Sequence, residues 1–233
     1  MIQNLRHALQ VVRQRGLRFF WIYFRESVLF DLRRGTSTYA RVTKDRQSID
    51  GSPEEQDDGL LYVASFSSVT HQTVERARTI LGPDRSARVQ FLDLGCGKGK
   101  ALLVYAERFG AGAPHPAVGI EYDADLAALA QANAAKCGFD QDRIKIVAAS
   151  ATQVREHIRS DTAIIYLYNS FQGETLRQVL EALRGIAHVL IYVDPAERDM
   201  LAEHGYTIHA ENTGRYNADT WLVAASGLEA VVS

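Results

Sequence analysis

From Arg88 onward, short apolar runs alternate with longer segments in which apolar residues recur at helical spacing. The short runs predict strands, and the amphipathic segments between them predict helices. This alternation is typical of an α/β domain, in which a mostly parallel sheet is covered by helices on both faces. The predicted strands are 89–94, 117–121, 144–148, 163–168 and 188–193, followed by a closing hairpin of 206–210 and 220–225.

The helices predicted between these strands are 100–109, 124–137, 153–158, 173–183 and 195–204, and an earlier helix at 69–81 ends at Gly82-Pro83. Two N-terminal helices, 2–14 and 17–32, precede a polar stretch at 34–58 that we interpret as a linker or lid. We therefore expect a helical extension with its linker over residues 1–58 and one α/β domain over residues 59–233.

The first predicted strand leads directly into three glycines at alternate positions, Gly95, Gly97 and Gly99, and a helical pattern begins at once. Such glycines can adopt positive φ and let a ligand approach the bare backbone. The start of the following helix offers unpaired N–H groups and the positive end of the helix dipole. Asp93, two residues before the first glycine, adds a fixed negative charge. The stretch therefore predicts a ligand-binding turn.

Two kinds of nucleotide ligand compete for this turn. The dinucleotide fingerprint is Gly-x-Gly-x-x-Gly, in which the helix start faces a pyrophosphate. Here the spacing is Gly95-x-Gly97-x-Gly99, with an acid just before it. A carboxylate aimed at the turn would repel a pyrophosphate, but it would suit a ligand that carries an ammonium group. A dehydrogenase and a purely structural loop remain the alternatives.

The run Asp-Leu-Gly-Cys-Gly-Lys-Gly resembles motif I of the class I S-adenosylmethionine-dependent methyltransferases. The resemblance implies a Rossmann-like sheet of seven strands, mostly parallel with the last strand antiparallel. It also implies S-adenosyl-L-methionine as cofactor and S-adenosyl-L-homocysteine as product. In that family the glycine loop, here Gly95, Cys96, Gly97 and Gly99, approaches the methionine part of the cofactor, and an acid at the position of Asp93 helps to hold its amino end.

The second strand of the pattern ends in Glu121, and a carboxylate at that place can accept hydrogen bonds from both hydroxyls of a ribose. NAD enzymes use the same feature, so Glu121 indicates a nucleoside without naming it. We expect Tyr122 to lie against the adenine face. After the third strand, Ser150 and Ala151 occupy the place where the family often has an acid toward the adenine amino group, and serine is a weaker acceptor.

The fourth strand ends in Tyr168-Asn169-Ser170-Phe171. Residues at the carboxyl ends of neighbouring parallel strands face one crevice, so we expect Asn169 near the transferable methyl group. The sequence resembles the Asn-Pro-Pro-Tyr and Asn-Pro-Phe motifs of amino methyltransferases, with Ser170 in place of proline. It also resembles the Asn-Asn-Phe motif of the non-SET histone-lysine methyltransferases. The resemblance implies an amine acceptor, with Tyr168, Asn169 and Phe171 as catalytic residues.

Residues 59–65 resemble the segment that closes over the cofactor in those relatives, which makes Tyr62 and Ser65 further candidate cofactor contacts. No general base is evident from the sequence. An oxygen nucleophile would need one within hydrogen-bond reach. The candidates are Asp194, at the end of the fifth strand, and the histidines His71, His204 and His209.

The composition is that of an ordinary soluble protein, with 46% hydrophobic and 23% charged residues and a net charge of −2. The charge is uneven, because residues 1–46 hold ten Lys/Arg against three acids. Such a basic arm suits nucleic acid, a membrane face or the acidic remainder of the chain. The aromatic run 17–24 is too short to span a bilayer, although a peripheral membrane contact or a homodimer contact is compatible with it.

The two cysteines, Cys96 and Cys137, indicate a reducing compartment without a disulfide framework, and no residue spacing resembles a metal site. With no secretory signal in the sequence, we expect a cytoplasmic protein. The sequence favours methyl transfer to an amine, a protein lysine among the candidates. The alternatives are a small-molecule O- or N-methyltransferase, an RNA methyltransferase and a catalytically silent cofactor-binding module.

Overall fold

The computed structural model describes residues 21–22, 24–39 and 64–228. The predicted helix at 2–14, most of the predicted linker and the candidate residue Tyr62 lie outside the described residues.

The strands form a seven-stranded sheet in the order β3-β2-β1-β4-β5-β7-β6. Strands β1 to β5 pair in parallel, whereas β7 runs antiparallel to both of its neighbours, β5 and β6. This confirms the prediction of a Rossmann-like sheet. The strands are β1 (Gln90–Leu94), β2 (Ala117–Glu121), β3 (Ile144–Ala148), β4 (Thr162–Tyr168), β5 (Ala187–Val193), β6 (Thr207–Asn212) and β7 (Trp221–Ser226).

The helices of the α/β part begin and end close to their predicted bounds. A π-helical turn (Phe24–Val28) and the short helix α1 (Leu29–Arg34) precede them. The other helices are α2 (Ser67–Ser86), α3 (Lys100–Arg108), α4 (Ala124–Lys136), α5 (Gly173–Ala182) and α6 (Arg198–Glu203), with 3₁₀ turns at Ala151–His157 and Asn217–Asp219.

Helix α2 is interrupted at Gly82, whose φ of 74° and ψ of 170° are not helical. The predicted end of this helix at Gly82-Pro83 is therefore correct for its first part. The chain then makes a further helical turn as far as Ser86, because proline is well tolerated in the first turn of a helix.

Two apolar clusters lie on opposite faces of the sheet. Along β1, Phe91 belongs to the cluster that includes α2 and α3, whereas its neighbour Leu92 belongs to the cluster that includes α5. Successive side chains of a strand point to opposite faces, so a strand covered on both sides is apolar throughout. The ring of Phe91 stacks on Tyr105 of α3 at 4.3 Å between centroids, which fixes α3 directly behind the glycine turn.

Candidate functional site

The glycine turn joins the end of β1 to the start of α3. Gly95, Gly97 and Gly99 have φ values of 69°, 53° and 80°, in the left-handed region that favours glycine. A Cβ on Gly95 would lie 2.6 Å from the Oγ atom of Ser170, and one on Gly99 would lie 3.2 Å from the Cβ atom of Ala130. The turn therefore presents bare backbone at the carboxyl end of the strand, as the sequence predicted.

Cys96 contributes its backbone to this turn, while its side chain points into the core. The residue is 5% exposed, and a Cβ on Gly119 of β2 would lie 2.7 Å from its Sγ atom. The backbone N–H groups of Gly95 and Cys96 both donate to the carbonyl oxygen of Ile120, at 2.9 and 3.1 Å. A small residue at position 96 thus fits between the turn and β2, and contact of its side chain with a ligand is not supported.

Two buried carboxylates lie beside the turn. The oxygens of Glu121 accept the backbone N–H groups of Gly97 at 2.7 Å and Asp123 at 3.0 Å, and burial raises the pKa of Glu121 to about 7. Burial, and then the charge of Glu121, raise the pKa of Asp93 well above its usual value. No hydrogen bond to the Asp93 carboxylate is found among the residues that the structure describes.

This pair of acids fits the predicted cofactor. A buried carboxylate without a cationic partner is unfavourable, and an ammonium group placed beside Asp93 would relieve that cost. Each oxygen of a carboxylate has two lone pairs, so Glu121 keeps acceptor capacity for a ribose hydroxyl beyond its bonds with the backbone N–H groups of Gly97, Asp123 and Tyr122. Asp93 would hold the amino end of S-adenosylmethionine and Glu121 its ribose.

The residues predicted on the adenine side have mixed environments. Tyr122 is partly buried and Ala151 is buried. Ser150 caps the following 3₁₀ turn, because its Oγ atom accepts the backbone N–H of Thr152 at 3.1 Å and lies 2.6 Å from the hydroxyl of that residue. An adenine contact from Ser150 would compete with this cap.

Among the described residues, Asn169 and Asp194 are the two non-glycine residues with positive φ, at 35° and 51°. They follow β4 and β5, which are neighbours in the sheet, and the Nδ2 atom of Asn169 donates to the Oδ2 atom of Asp194 at 3.1 Å. Asn217 donates to the same Oδ2 atom at 3.1 Å, and Gln172 donates to the Oδ1 atom of Asn169 at 3.1 Å. We call these four residues the amide–carboxylate cluster.

The other residues of the β4 end connect this cluster to the glycine turn. The hydroxyl of Ser170 donates to the carbonyl oxygen of Gly95 at 3.3 Å. Phe171 is buried in the core, where its ring lies 3.9 Å from the position of a Cβ on Gly95. Tyr168 is partly buried, and burial raises the pKa of its hydroxyl. The glycine turn and the end of β4 are thus in direct contact.

Other candidate residues bond elsewhere in the structure. Ser65 is buried and hydrogen-bonds with the hydroxyl of Tyr166 inside the core. His71 accepts from Arg108 at 3.0 Å on the outside of α2, and His204 bonds to the carbonyl oxygen of Met200 at 2.9 Å. Of the candidate bases from the sequence, only Asp194 contacts Asn169.

Sequence reasoning missed two members of the amide–carboxylate cluster. Gln172 lies within the motif stretch, and its polar side chain just before α5 is a signal that could have found it. Asn217 comes from the 3₁₀ turn between β6 and β7, and nothing in its sequence surroundings marks it.

The described residues contain no group of three or more His, Cys, Asp or Glu arranged to hold a metal ion. Within the same part of the chain, every helix is too short or too polar to cross a membrane.

Residues 91–191 match a protein family described as a methyltransferase domain. No curated protein sequence matches the chain. Among solved structures, a candidate methylase from Haemophilus influenzae superimposes with a TM-score of 0.50 at 12% identity, covering 70% of this chain and 99% of that one. This likeness shows the fold.

Two further structures are similar at a lower score. A ribosomal protein L11 methylase from Lactobacillus delbrueckii subsp. bulgaricus is 18% identical, covers 81% of this chain and 89% of its own, and has a TM-score of 0.48. A tRNA methyltransferase from B. subtilis is 17% identical, with coverages of 70% and 67% and a TM-score of 0.49. The matched family, the sheet order and the glycine turn confirm that the chain resembles the class I S-adenosylmethionine-dependent methyltransferases, whose methyl donor is S-adenosyl-L-methionine.

Proposed function

We propose that the chain transfers a methyl group from S-adenosylmethionine to an amine, such as the side chain of a protein lysine. The observation that carries the proposal is the hydrogen bond between Asn169 and Asp194, at the carboxyl ends of β4 and β5. It joins a carboxamide and a carboxylate at the ends of two neighbouring strands, and Ser170, the residue after Asn169, bonds to Gly95 of the glycine turn.

Backbone conformation supports a functional role for this pair. A left-handed backbone is unfavourable for any residue with a Cβ, although asparagine and aspartate tolerate it best. Such residues persist where the surrounding structure holds them, and they cluster at functional sites. Here two of them contact each other at neighbouring strand ends, which is where ligands bind in open α/β sheets.

The cluster also suits the chemistry of an amine. S-adenosylmethionine supplies an electrophilic methyl group on a sulfonium sulfur. An attacking nitrogen gains positive charge as the new bond forms, and a nearby carboxylate stabilises that charge. Asp194 would do so, while the oxygen of Asn169 accepts a hydrogen bond from the nitrogen and directs its lone pair. Positioning of this kind supplies much of the rate enhancement.

Asp93 and Glu121 bind and orient the cofactor, and neither needs to exchange a proton with the methyl acceptor. The amine itself must arrive neutral, since a protonated nitrogen has no free lone pair.

The experiment is transfer of labelled methyl groups from S-adenosylmethionine into cell extract, followed by separation of protein, RNA and small molecules. We expect label in amines, which acid hydrolysis of the protein fraction would release as methyllysine if lysine is the acceptor. Label confined to RNA or to oxygen-linked products would refute the amine acceptor.

Variants separate catalysis from cofactor binding. Asn169→Ala should lower transfer by about a hundredfold while S-adenosylhomocysteine affinity stays within about twofold. Asn212→Ala is a matched control. Asn212 is exposed on β6, and among the described residues its side chain bonds only to the carbonyl oxygen of Asp219. Wild-type cofactor binding without any transfer would favour the silent module instead.

A further inference from the structure

Asn133 connects the glycine turn to the N-terminal part of the chain. This helix α4 residue is 2% exposed, and both polar atoms of its side chain are bonded. Its Nδ2 atom donates to the carbonyl oxygen of Lys98 at 3.1 Å, and its Oδ1 atom accepts the backbone N–H of Ser37 at 3.1 Å. Lys98 lies between the second and third glycines, so a single carboxamide joins the turn to the segment that follows α1.

That segment is itself fixed by Asp31, another buried acid. One oxygen of Asp31 accepts the backbone N–H groups of Thr38 at 2.7 Å and Tyr39 at 3.0 Å. The other oxygen accepts the hydroxyls of Thr36 at 2.6 Å and Thr38 at 2.8 Å. We call residues 35–39 the Asp31 loop. Its four bonds to one side chain give the loop a defined shape in front of Asn133.

A second contact holds the same part of the chain against the helices around the turn. The carboxylate of Glu26, in the π-helical turn, accepts the backbone N–H of Ser68 at 3.3 Å at the start of α2. Helix α2 has no cap from its own preceding residue, so Glu26 supplies one from elsewhere in the chain. The carbonyl oxygen of Glu26 accepts a hydrogen bond from the buried ammonium group of Lys100, the first residue of α3.

We propose that Asn133 is a positioning residue for the cofactor, and that through it the Asp31 loop is part of the cofactor site. The carboxamide holds the Lys98 peptide, and with it the left-handed backbone of the adjoining glycines, in the conformation that a ligand meets. A ligand that binds this conformation of the turn stabilises the state in which Asn133 makes both of its hydrogen bonds. By linkage, cofactor binding and anchoring of the Asp31 loop therefore stabilise each other.

The test is titration of the full chain with S-adenosylhomocysteine by calorimetry. Loss of the two hydrogen bonds in Asn133→Ala should weaken binding about tenfold, with the circular dichroism spectrum retained. Gln131→Ala removes an amide from the same helix, where it has no hydrogen bond among the described residues, and should bind within about twofold of wild type.

Hydrogen exchange distinguishes the proposed coupling from a general loss of stability. In the wild type, S-adenosylhomocysteine should slow exchange of the Ser37, Thr38 and Tyr39 amides, and in Asn133→Ala this slowing should disappear. Asp31→Ala, which removes the four bonds to the loop and leaves the Asn133 side chain in place, should also weaken binding. If Asn133→Ala fails to fold, Asp31→Ala carries the test.

The outcomes are distinguishable. Equal affinity of wild type and Asn133→Ala, equal affinity of wild type and Asp31→Ala, or no effect of ligand on exchange in the loop would each overturn the inference alone. Failure of the wild type to bind S-adenosylhomocysteine would overturn the proposed function together with it.

Discussion

Ser170 occupies the space in which a Cβ atom on Gly95 would lie, and its hydroxyl donates to the Gly95 carbonyl oxygen at 3.3 Å. Ser170 and the first glycine of the turn are therefore in direct contact. Glycine at position 95 is required twice, once for its φ of 69° and once for the space that Ser170 fills.

Gly95→Ala should destabilise the protein by about 1–2 kcal/mol for the left-handed backbone alone, with a further cost from the overlap with Ser170. Chemical denaturation measures the change. Ser170→Gly in the same background removes the overlapping Cβ and should recover the second part of the loss. If the double variant is no more stable than Gly95→Ala, the packing argument is wrong.

Cofactor affinity should depend on pH through Glu121, whose pKa is raised to about 7. The ionised carboxylate is the better acceptor for two ribose hydroxyls, so binding favours the deprotonated form. Affinity for S-adenosylhomocysteine should therefore rise with pH through about 7, and binding at lower pH should release a proton. Calorimetry in buffers of different ionisation enthalpy measures this release.

Glu121→Gln is the control for that measurement. The amide cannot ionise, so the variant should bind more weakly and lose the part of the proton release due to residue 121. Identical proton release in wild type and Glu121→Gln would show that another group, with Asp93 the nearest candidate, controls the pH dependence.

His188 should make the fold sensitive to acid. Its Nδ1 atom donates to the carbonyl oxygen of Ile186 at 2.8 Å, and its Nε2 atom lies 2.6 Å from the hydroxyl of Tyr206, which can donate to Nε2 only while the ring is neutral. Burial lowers the pKa of His188 below its usual value. The stabilisation is therefore present above the pKa of the unfolded chain, near 6.5, and is lost as the pH falls through the folded value.

The measurement is the free energy of unfolding at neutral and mildly acidic pH for wild type and His188→Gln. Glu121 acts in the opposite direction, because a raised carboxyl pKa favours the folded state at low pH, but both proteins share that contribution. The wild type should lose more stability on acidification than the variant. Equal losses would mean that His188 is protonated without cost in the folded state.

The strands of the central sheet could be predicted from the sequence because each apolar run is bounded by turn residues. The bounds of β2 and β3 agree with the prediction, and the glycine spacing located the turn after β1. These features depend on neighbouring residues, so one sequence contains the information. Asp93 and Glu121 could likewise be identified from the sequence, because each lies at or next to the end of a predicted strand.

Features that depend on distant contacts could not be predicted. The segment 17–32 has a helical pattern, but Glu26 and Ser27 are buried in a π-helical turn because Lys100 and Ser68 bond to Glu26 from elsewhere in the chain. The inward direction of the Cys96 side chain follows from the space left by Gly119. Asn133 had a local signal, a polar residue on an otherwise apolar helix face, but its partners become visible only in three dimensions.

The shielding of Cys96 has a practical consequence for spectroscopy. Its thiol is packed against β2, and burial raises its pKa, so little reactive thiolate forms at neutral pH. The only other cysteine of the chain, Cys137, is more accessible and lies one helical turn beyond Asn133. A maleimide dye added to the native protein should therefore react at Cys137, one helical turn from Asn133, in preference to Cys96.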